Sequence, residues 1–162
     1  MADGDALICK MTDLEAILHF IKDQFPECKQ VTLYGSPRSI LMKKQEELDK
    51  LRELGISMIY MGLESGNDEV LTYMKKGVTS QEMIEAAQKV KQAKIRLSVT
   101  AISGLGGRRL WQEHAKDTGL VLSQMKPDYI GLLTLMIEED LPLADKIRSG
   151  EFELLNPYDI LI

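Results

Sequence analysis

The chain has 162 residues, 20 lysines and arginines against 25 aspartates and glutamates, with 44% hydrophobic and 28% charged side chains. That length fits a single domain over residues 1–162, and the composition excludes disordered, collagenous and coiled-coil chains. A net charge of −5, with no cluster of basic residues to offset it, repels a phosphate backbone and argues against broad nucleic-acid binding.

The opening MADGDALICK lacks a basic stretch followed by an apolar run, so no secretory signal is visible. The longest apolar run, residues 130–137, is interrupted by Gly131 and Thr134 and falls short of the roughly 18 residues of a membrane span. The expectation is a cytoplasmic chain with Cys9 and Cys28 reduced.

Along the chain, short β-rich runs alternate with segments of helical period. Thr12 and Glu15 have capping-box spacing, and Leu14, Ile17, Leu18, Ile21 and Phe25 form one apolar face until Pro26. A strand is predicted at residues 30–34 (QVTLY). A helix over residues 43–54 buries Leu48, Leu51 and Leu54 and ends at Gly55. The next strand, residues 57–63 (SMIYMGL), leads to a short helix capped by Asn67 or Asp68, running through Val70, Leu71 and Met74 with Gly77 after it. Thr79 and Glu82 form a second capping box, opening a helix that buries Met83, Ile84, Ala87 and Val90. A third strand at residues 95–102 precedes a helix with Trp111, Ala115, Thr118, Leu122 and Met125 on one face, closed by Pro127. The last strand spans residues 129–137. The second and fourth strands are nearly continuous in apolar character, which predicts burial on both faces. Such βα units build either an open doubly wound sheet or part of a (βα) barrel, and in both the ligands sit beyond the carboxyl ends of the strands.

The residues just after each strand are therefore the candidates. Glu64-Ser65-Gly66-Asn67 combines a carboxylate, a hydroxyl and a capping amide at a helix start; Glu64 suits a ribose or an ammonium group. Ser103-Gly104-Leu105-Gly106-Gly107-Arg108-Arg109 would let backbone approach a ligand closely, but Arg109 stands where the third glycine of G-x-G-x-x-G belongs. Arg38 follows the first strand and reads as a solvated loop arginine, and Glu138-Glu139-Asp140 as a solvated acidic loop. His19 reads as exposed and His114 as a hydrogen-bonded packing residue. Neither a Ser-His-Asp set nor zinc-ligand spacing is present.

Taken in order, DGDAL at residues 3–7, YGSPRSI at 34–40, IYMGLESGNDEVL followed by KKGVT, VTAISGLGG at 99–107, EHAKDT and PDYIGLLTLM resemble a radical S-adenosylmethionine enzyme across nearly the whole chain. The resemblance implies an α/β fold, a parallel-stranded partial (βα)6 barrel. It also implies a four-iron four-sulfur cluster on a CxxxCxxC loop, and reductive cleavage of S-adenosylmethionine to a 5′-deoxyadenosyl radical that abstracts hydrogen from a substrate. Carried over by motif, Asp3, Gly4 and Asp5 take the place of the segment that binds the cofactor's amino group. Glu64 and Ser65 match the polar pair facing the ribose or methionine moiety. Lys76, with Lys75 as a near alternative, matches the base opposite the methionine carboxylate. Thr100, Ile102 and Gly104 match a degenerate adenine-side motif, and Leu133 and Leu135 the remaining wall.

No CxxxCxxC occurs in this sequence. The implied reading is a fragment of the core that begins after the cluster loop, holds neither cluster nor cofactor firmly, and associates as a homodimer or higher oligomer through an exposed edge of the 30–34 strand. The alternative, read from the residues alone, is a non-catalytic α/β module that binds a nucleotide or phosphorylated metabolite at the GLGGRR turn.

Overall fold

The computed structural model describes residues 4–156. A 3-10 turn at Ala6–Ile8 leads into helix α1 (Met11–Gln24) and strand β1 (Val31–Tyr34). Helices α2 (Pro37–Met42) and α3 (Gln45–Glu53) follow, then β2 (Ile56–Glu64), α4 (Asp68–Tyr73) and α5 (Ser80–Gln92). The remainder is β3 (Arg96–Ser103), α6 (Trp111–Met125), β4 (Tyr129–Thr134) and α7 (Pro142–Arg148). Among the described residues no helix is long and apolar enough to cross a membrane.

The strongest local signals act where the sequence places them. Thr79 Oγ1 accepts from the Glu82 N–H at 3.2 Å while Glu82 Oε2 accepts from the Thr79 N–H at 2.7 Å, opening α5. The Thr79 backbone N–H, helped by its hydroxyl, holds the Glu82 carboxyl below its usual range. Asn67 Oδ1 accepts from the Val70 N–H at 3.0 Å and opens α4. The other predicted box does not form. Helix α1 begins earlier, at Met11, whose side chain packs against the core, so Thr12 lies inside the first turn and Lys10 precedes it without a side-chain cap. The predicted 43–54 helix is preceded by α2, with Ser36 as cap and Pro37 in its first turn, an S-P signal present in the sequence.

The strands form one sheet in the order β1-β2-β3-β4, parallel throughout. Consecutive order without a reversal is the arrangement of a barrel segment, and it excludes the doubly wound sheet, whose order reverses at a switch point. Burial separates the two faces. Leu33, Ile59, Met61, Leu63, Leu97, Val99 and Ala101 are buried, on the side where α1 packs on α3, α3 on α5 and α5 on α6. Their alternates Tyr60, Gly62, Ser98 and Thr100 are half-buried on the opposite, open face.

Three expectations are corrected here. Strand β2 is fully buried on one face only, because helices cover a single side of the sheet. Strand β4 is exposed on both faces, Ile130 and Leu132 on one and Leu133 on the other, because only β3 packs extensively against it. In α6 the buried stripe is His114, Thr118, Val121 and Met125, rotated from the predicted one; Trp111, Ala115 and Leu122 instead line a surface groove with Leu132.

One-sided burial has a direct test. Leu97→Ala, at a fully buried position, should cost about 2–5 kcal/mol, whereas Ser98→Ala on the neighbouring open-face position should cost less than about 1 kcal/mol. Urea titrations of the two variants make the comparison, and equal losses would contradict the one-faced sheet.

Candidate functional site

Parallel strands bring their carboxyl ends to one rim, and β2 ends there in an irregular way. The β2–β3 register slips between Gly62 and Glu64, and Glu64 adopts φ +60°, a left-handed conformation costly for a residue with a side chain. The slip re-aims the Glu64 carboxylate so that Oε1 meets Lys76 Nζ at 3.0 Å, with both side chains about three-quarters covered. Lys76 reaches it because Lys75 (φ +55°) and Gly77 (φ +74°) turn the chain back after α4. Gly62 makes room beneath: an added Cβ would collide with the Glu64 carboxylate and lie 3.3 Å from Lys76 Nζ. Lys75 itself is exposed, and it is Lys76 that pairs with Glu64.

Ser65, by contrast, points into the protein. It is fully buried, its hydroxyl lies 2.8 Å from His114 Nδ1, and it accepts from the Asn67 N–H at 3.0 Å. The second ring nitrogen of His114, Nε2, donates to the Ile102 carbonyl at 3.0 Å. A ring that donates through Nε2 and accepts from Ser65 through Nδ1 is neutral. Burial pushes the His114 pKa below its ordinary value, partly opposed by the Ile102 hydrogen bond. Around this link, Gly66 N–H donates to Thr118 Oγ1 at 2.9 Å and Asn67 Nδ2 donates to Asp117 Oδ2 at 2.7 Å. A Cβ on Gly66 would lie 2.5 Å from the Asp117 carbonyl oxygen, so glycine is required for this approach. Ser65 therefore positions the loop that carries Glu64, with its hydroxyl buried against α6.

Asp5 is likewise engaged. Its carboxylate accepts from the Ser36 N–H at 3.0 Å, the Ser36 hydroxyl at 2.8 Å and the Ser39 hydroxyl, fixing the start of α2. Gly4 is exposed beside it, and Asp3 lies outside the described residues. On β3, Thr100 is paired with Gly62 and Gly131 on the open face, and Ile102 with Leu133. Gly104 turns the chain with φ +86°. Gly62, Thr100 and Gly131 form a row of small residues between the rim and a row holding Tyr34, Tyr60 and Tyr129, with Tyr34 stacked on Tyr60 at 5.2 Å. The tyrosine row and the role of Gly62 escaped sequence reasoning; a glycine inside a strand was the available signal.

Two N–H groups of the glycine turn and that of the residue after it are engaged within the chain: Gly107 donates to the Gly104 carbonyl, Arg108 to Glu153 and Leu110 to Gly106. Arg109 pairs with Glu69 at 2.7 Å. Cys9 and Cys28 are exposed free thiols, and among the described residues no group of three His, Cys, Asp or Glu side chains could hold a metal ion.

Comparison with known proteins agrees with the parallel fold. The profile of the Radical SAM superfamily matches residues 2–117. A curated tRNA uridine(34) acetyltransferase of Methanocaldococcus jannaschii is 22% identical over 120 residues, covering 70% of this chain and 21% of its own. The chain thus spans about a fifth of the length of that relative. Among solved structures, the Methanocaldococcus infernus Elp3 lacking its N-terminus superposes with a TM-score of 0.76 at 16% identity, over 98% of this chain and 41% of that one. Escherichia coli coproporphyrinogen III oxidase (HemN), described as a radical SAM enzyme, gives 0.76 at 15% identity over 98% and 36%.

The neutral His114 makes stability pH-dependent. A folded-state pKa below the unfolded value means that the unfolded chain takes up the proton first. The stabilisation is fully present above the unfolded value of about 6.5 and declines as pH falls below it towards the lowered folded value. Urea midpoints should drop from pH 7 to 5 in the wild type, and His114→Gln should flatten that slope; an unchanged slope in the variant would exclude His114 as its source.

Proposed function

The chain belongs to the radical SAM superfamily, and from that premise we propose that its β2–β3 rim is the part of a radical S-adenosylmethionine oxidoreductase that holds and orients the cofactor. The observation that carries this reading is the Glu64–Lys76 pair folded over Gly62 at the carboxyl end of β2. A carboxylate and an ammonium held side by side and partly shielded match a zwitterionic amino acid, and a row of small residues beside them leaves room for a planar group.

In this reading Lys76 donates to the methionine carboxylate and Glu64 accepts from the ribose hydroxyls or the ammonium group. The existing pair opens to admit them, exchanging one partly screened contact for two. Thr100 and Ile102 face the adenosine side, with the Gly104 turn admitting backbone contact. Leu133 and Leu135 close the wall. With the Asp5 carboxylate committed to α2, the Gly4-Asp5 segment contributes backbone groups, and Ser65 acts through the loop. Bound here, S-adenosylmethionine supplies a carbon–sulfur bond for one-electron cleavage, with the electron coming from an iron–sulfur cluster. The described residues offer that cluster no set of ligands, so this chain's own part is binding and orientation, and its affinity for the cofactor is low.

Amide chemical-shift mapping with S-adenosylmethionine at millimolar concentration tests the proposal. Shifts should centre on Gly62, Glu64, Lys76, Thr100 and Gly104. Lys76→Ala should weaken binding about tenfold, the lower end of a lost charged hydrogen bond. Shifts confined to the cavity behind Gly106 and Phe152, with Lys76→Ala binding as the wild type does, would overturn it.

A further inference from the structure

Behind the glycine turn the chain frames a cavity of about 370 Å³ that none of Gly62, Glu64, Lys76, Thr100 and Gly104 lines. Its size falls within the range of small-molecule sites, roughly 300–1,000 Å³. Its walls come from α4, the turn at residues 105–110 and the loop at residues 150–153, all inside the described chain.

One wall is aromatic and fixed by its own partners. Phe152 is buried and stacks on Tyr73 with ring centroids 6.0 Å apart and planes 21° apart. The Lys146 ammonium lies over the Tyr73 ring, 3.8 Å from its centroid. Glu151 accepts from Lys146 at 2.8 Å and from the Tyr73 hydroxyl at 3.2 Å, so these three groups satisfy one another. The glycine turn closes against this wall. A Cβ on Gly107 would lie 2.9 Å from two Phe152 ring carbons, and the Arg108 N–H donates to the Glu153 carbonyl at 2.8 Å. Val70 and Leu105 add buried apolar surface to the lining.

Charge is arranged differently. Arg109 Nη2 meets Glu69 Oε1 at 2.7 Å, joining the turn to α4, and Arg108 Nε lies 3.6 Å from Glu153 Oε1, joining it to the 150–153 loop. All four side chains are more than half exposed, and solvated pairs of this kind exchange partners easily. The cavity therefore combines a ring-walled, apolar interior with two guanidinium–carboxylate pairs whose charges cancel.

We propose that this cavity binds a free α-amino acid with an aromatic side chain. Arg109 and Phe152 line the same cavity, which places both ends of such a molecule within one site. The ring lies against Phe152. The ligand's carboxylate takes the Arg109 fork, and its ammonium takes the Glu69 carboxylate that Arg109 releases. A zwitterion thus replaces each partner of the opened pair by a group of the same sign. An aromatic acid would leave Glu69 without a cation, and an aromatic amine would leave Arg109 without an anion. The site is separate from the Glu64–Lys76 rim and does not depend on the cofactor reading.

Amide chemical-shift titration of the 162-residue chain with L-phenylalanine at millimolar concentration should give saturable shifts at Gly106, Gly107, Arg109 and Phe152. Benzoate, phenethylamine and glycine each lack one of the three recognised groups. Each should bind at least about tenfold more weakly, the scale of a lost charged hydrogen bond or of a ring left unburied. Arg109→Gln, at an exposed position, should weaken phenylalanine binding by a similar factor and leave the amide spectrum elsewhere unchanged. Shifts at Gly62, Glu64 and Lys76 report S-adenosylmethionine at the rim, so the two readings fail separately. No saturable shift at the cavity amides, any of the three simpler compounds binding as tightly as phenylalanine, or Arg109→Gln binding as the wild type does would each overturn the assignment.

Discussion

The imidazole of His114 ties the working end of the molecule together. One ring nitrogen meets the hydroxyl of Ser65 after β2 and the other the carbonyl of Ile102 in β3, so a single side chain on α6 fixes the exits of two adjacent strands. Buried polar groups persist only when satisfied, and here each satisfies the other: serine, histidine and carbonyl form a closed chain with no bond left to solvent. The close approach of Gly66 to α6 extends the same junction. Strain in the backbone at Glu64 is sustained because the residue immediately after it is locked in this way.

A second constraint is that the helices lie on one side of the sheet only. In β2 and β3 the helix-facing residues are large and aliphatic, while the open face carries tyrosine, glycine, serine, threonine and, at the rim, an ion pair. The helix-facing side holds the fold together by close packing, and the open face is built from groups able to donate, accept and leave space. The same division explains why structural similarity to radical SAM proteins persists at 15–16% identity: alternation and the rim turns preserve the shape, and many aliphatic combinations fill the helix side.

Pairing of Glu64 with Lys76 keeps each charge compensated. An isolated charge at a partly shielded site carries a desolvation cost, and a neighbouring opposite charge removes most of it. Asp5 and Ser65 show the other use of polar residues near a rim, as fixed supports of the elements that carry the contacting groups. Motif position alone does not distinguish the two uses, because both kinds of residue stand just beyond the strands.

The four strands, the Asn67 cap and the Thr79–Glu82 box were legible in the sequence because each is a local pattern, set by period, cap chemistry and turn residues within a few positions. The order of motifs was sufficient to mark the family, and Glu64, Lys76 and Gly104 as a shared rim, since parallel strands must end together. The start of α1, the stripe buried on α6 and the exposure of β4 were not legible, because each depends on what packs against the element from far along the chain. Ser65 and Asp5 turned inward for the same reason: His114 lies 49 residues from Ser65 and Ser36 lies 31 from Asp5. By itself, then, the sequence determined which elements form and which residues follow the strand ends at the rim, through short-range geometry. Only the tertiary structure decided which polar groups at that rim remain available, because a hydrogen-bond partner is chosen by proximity in space.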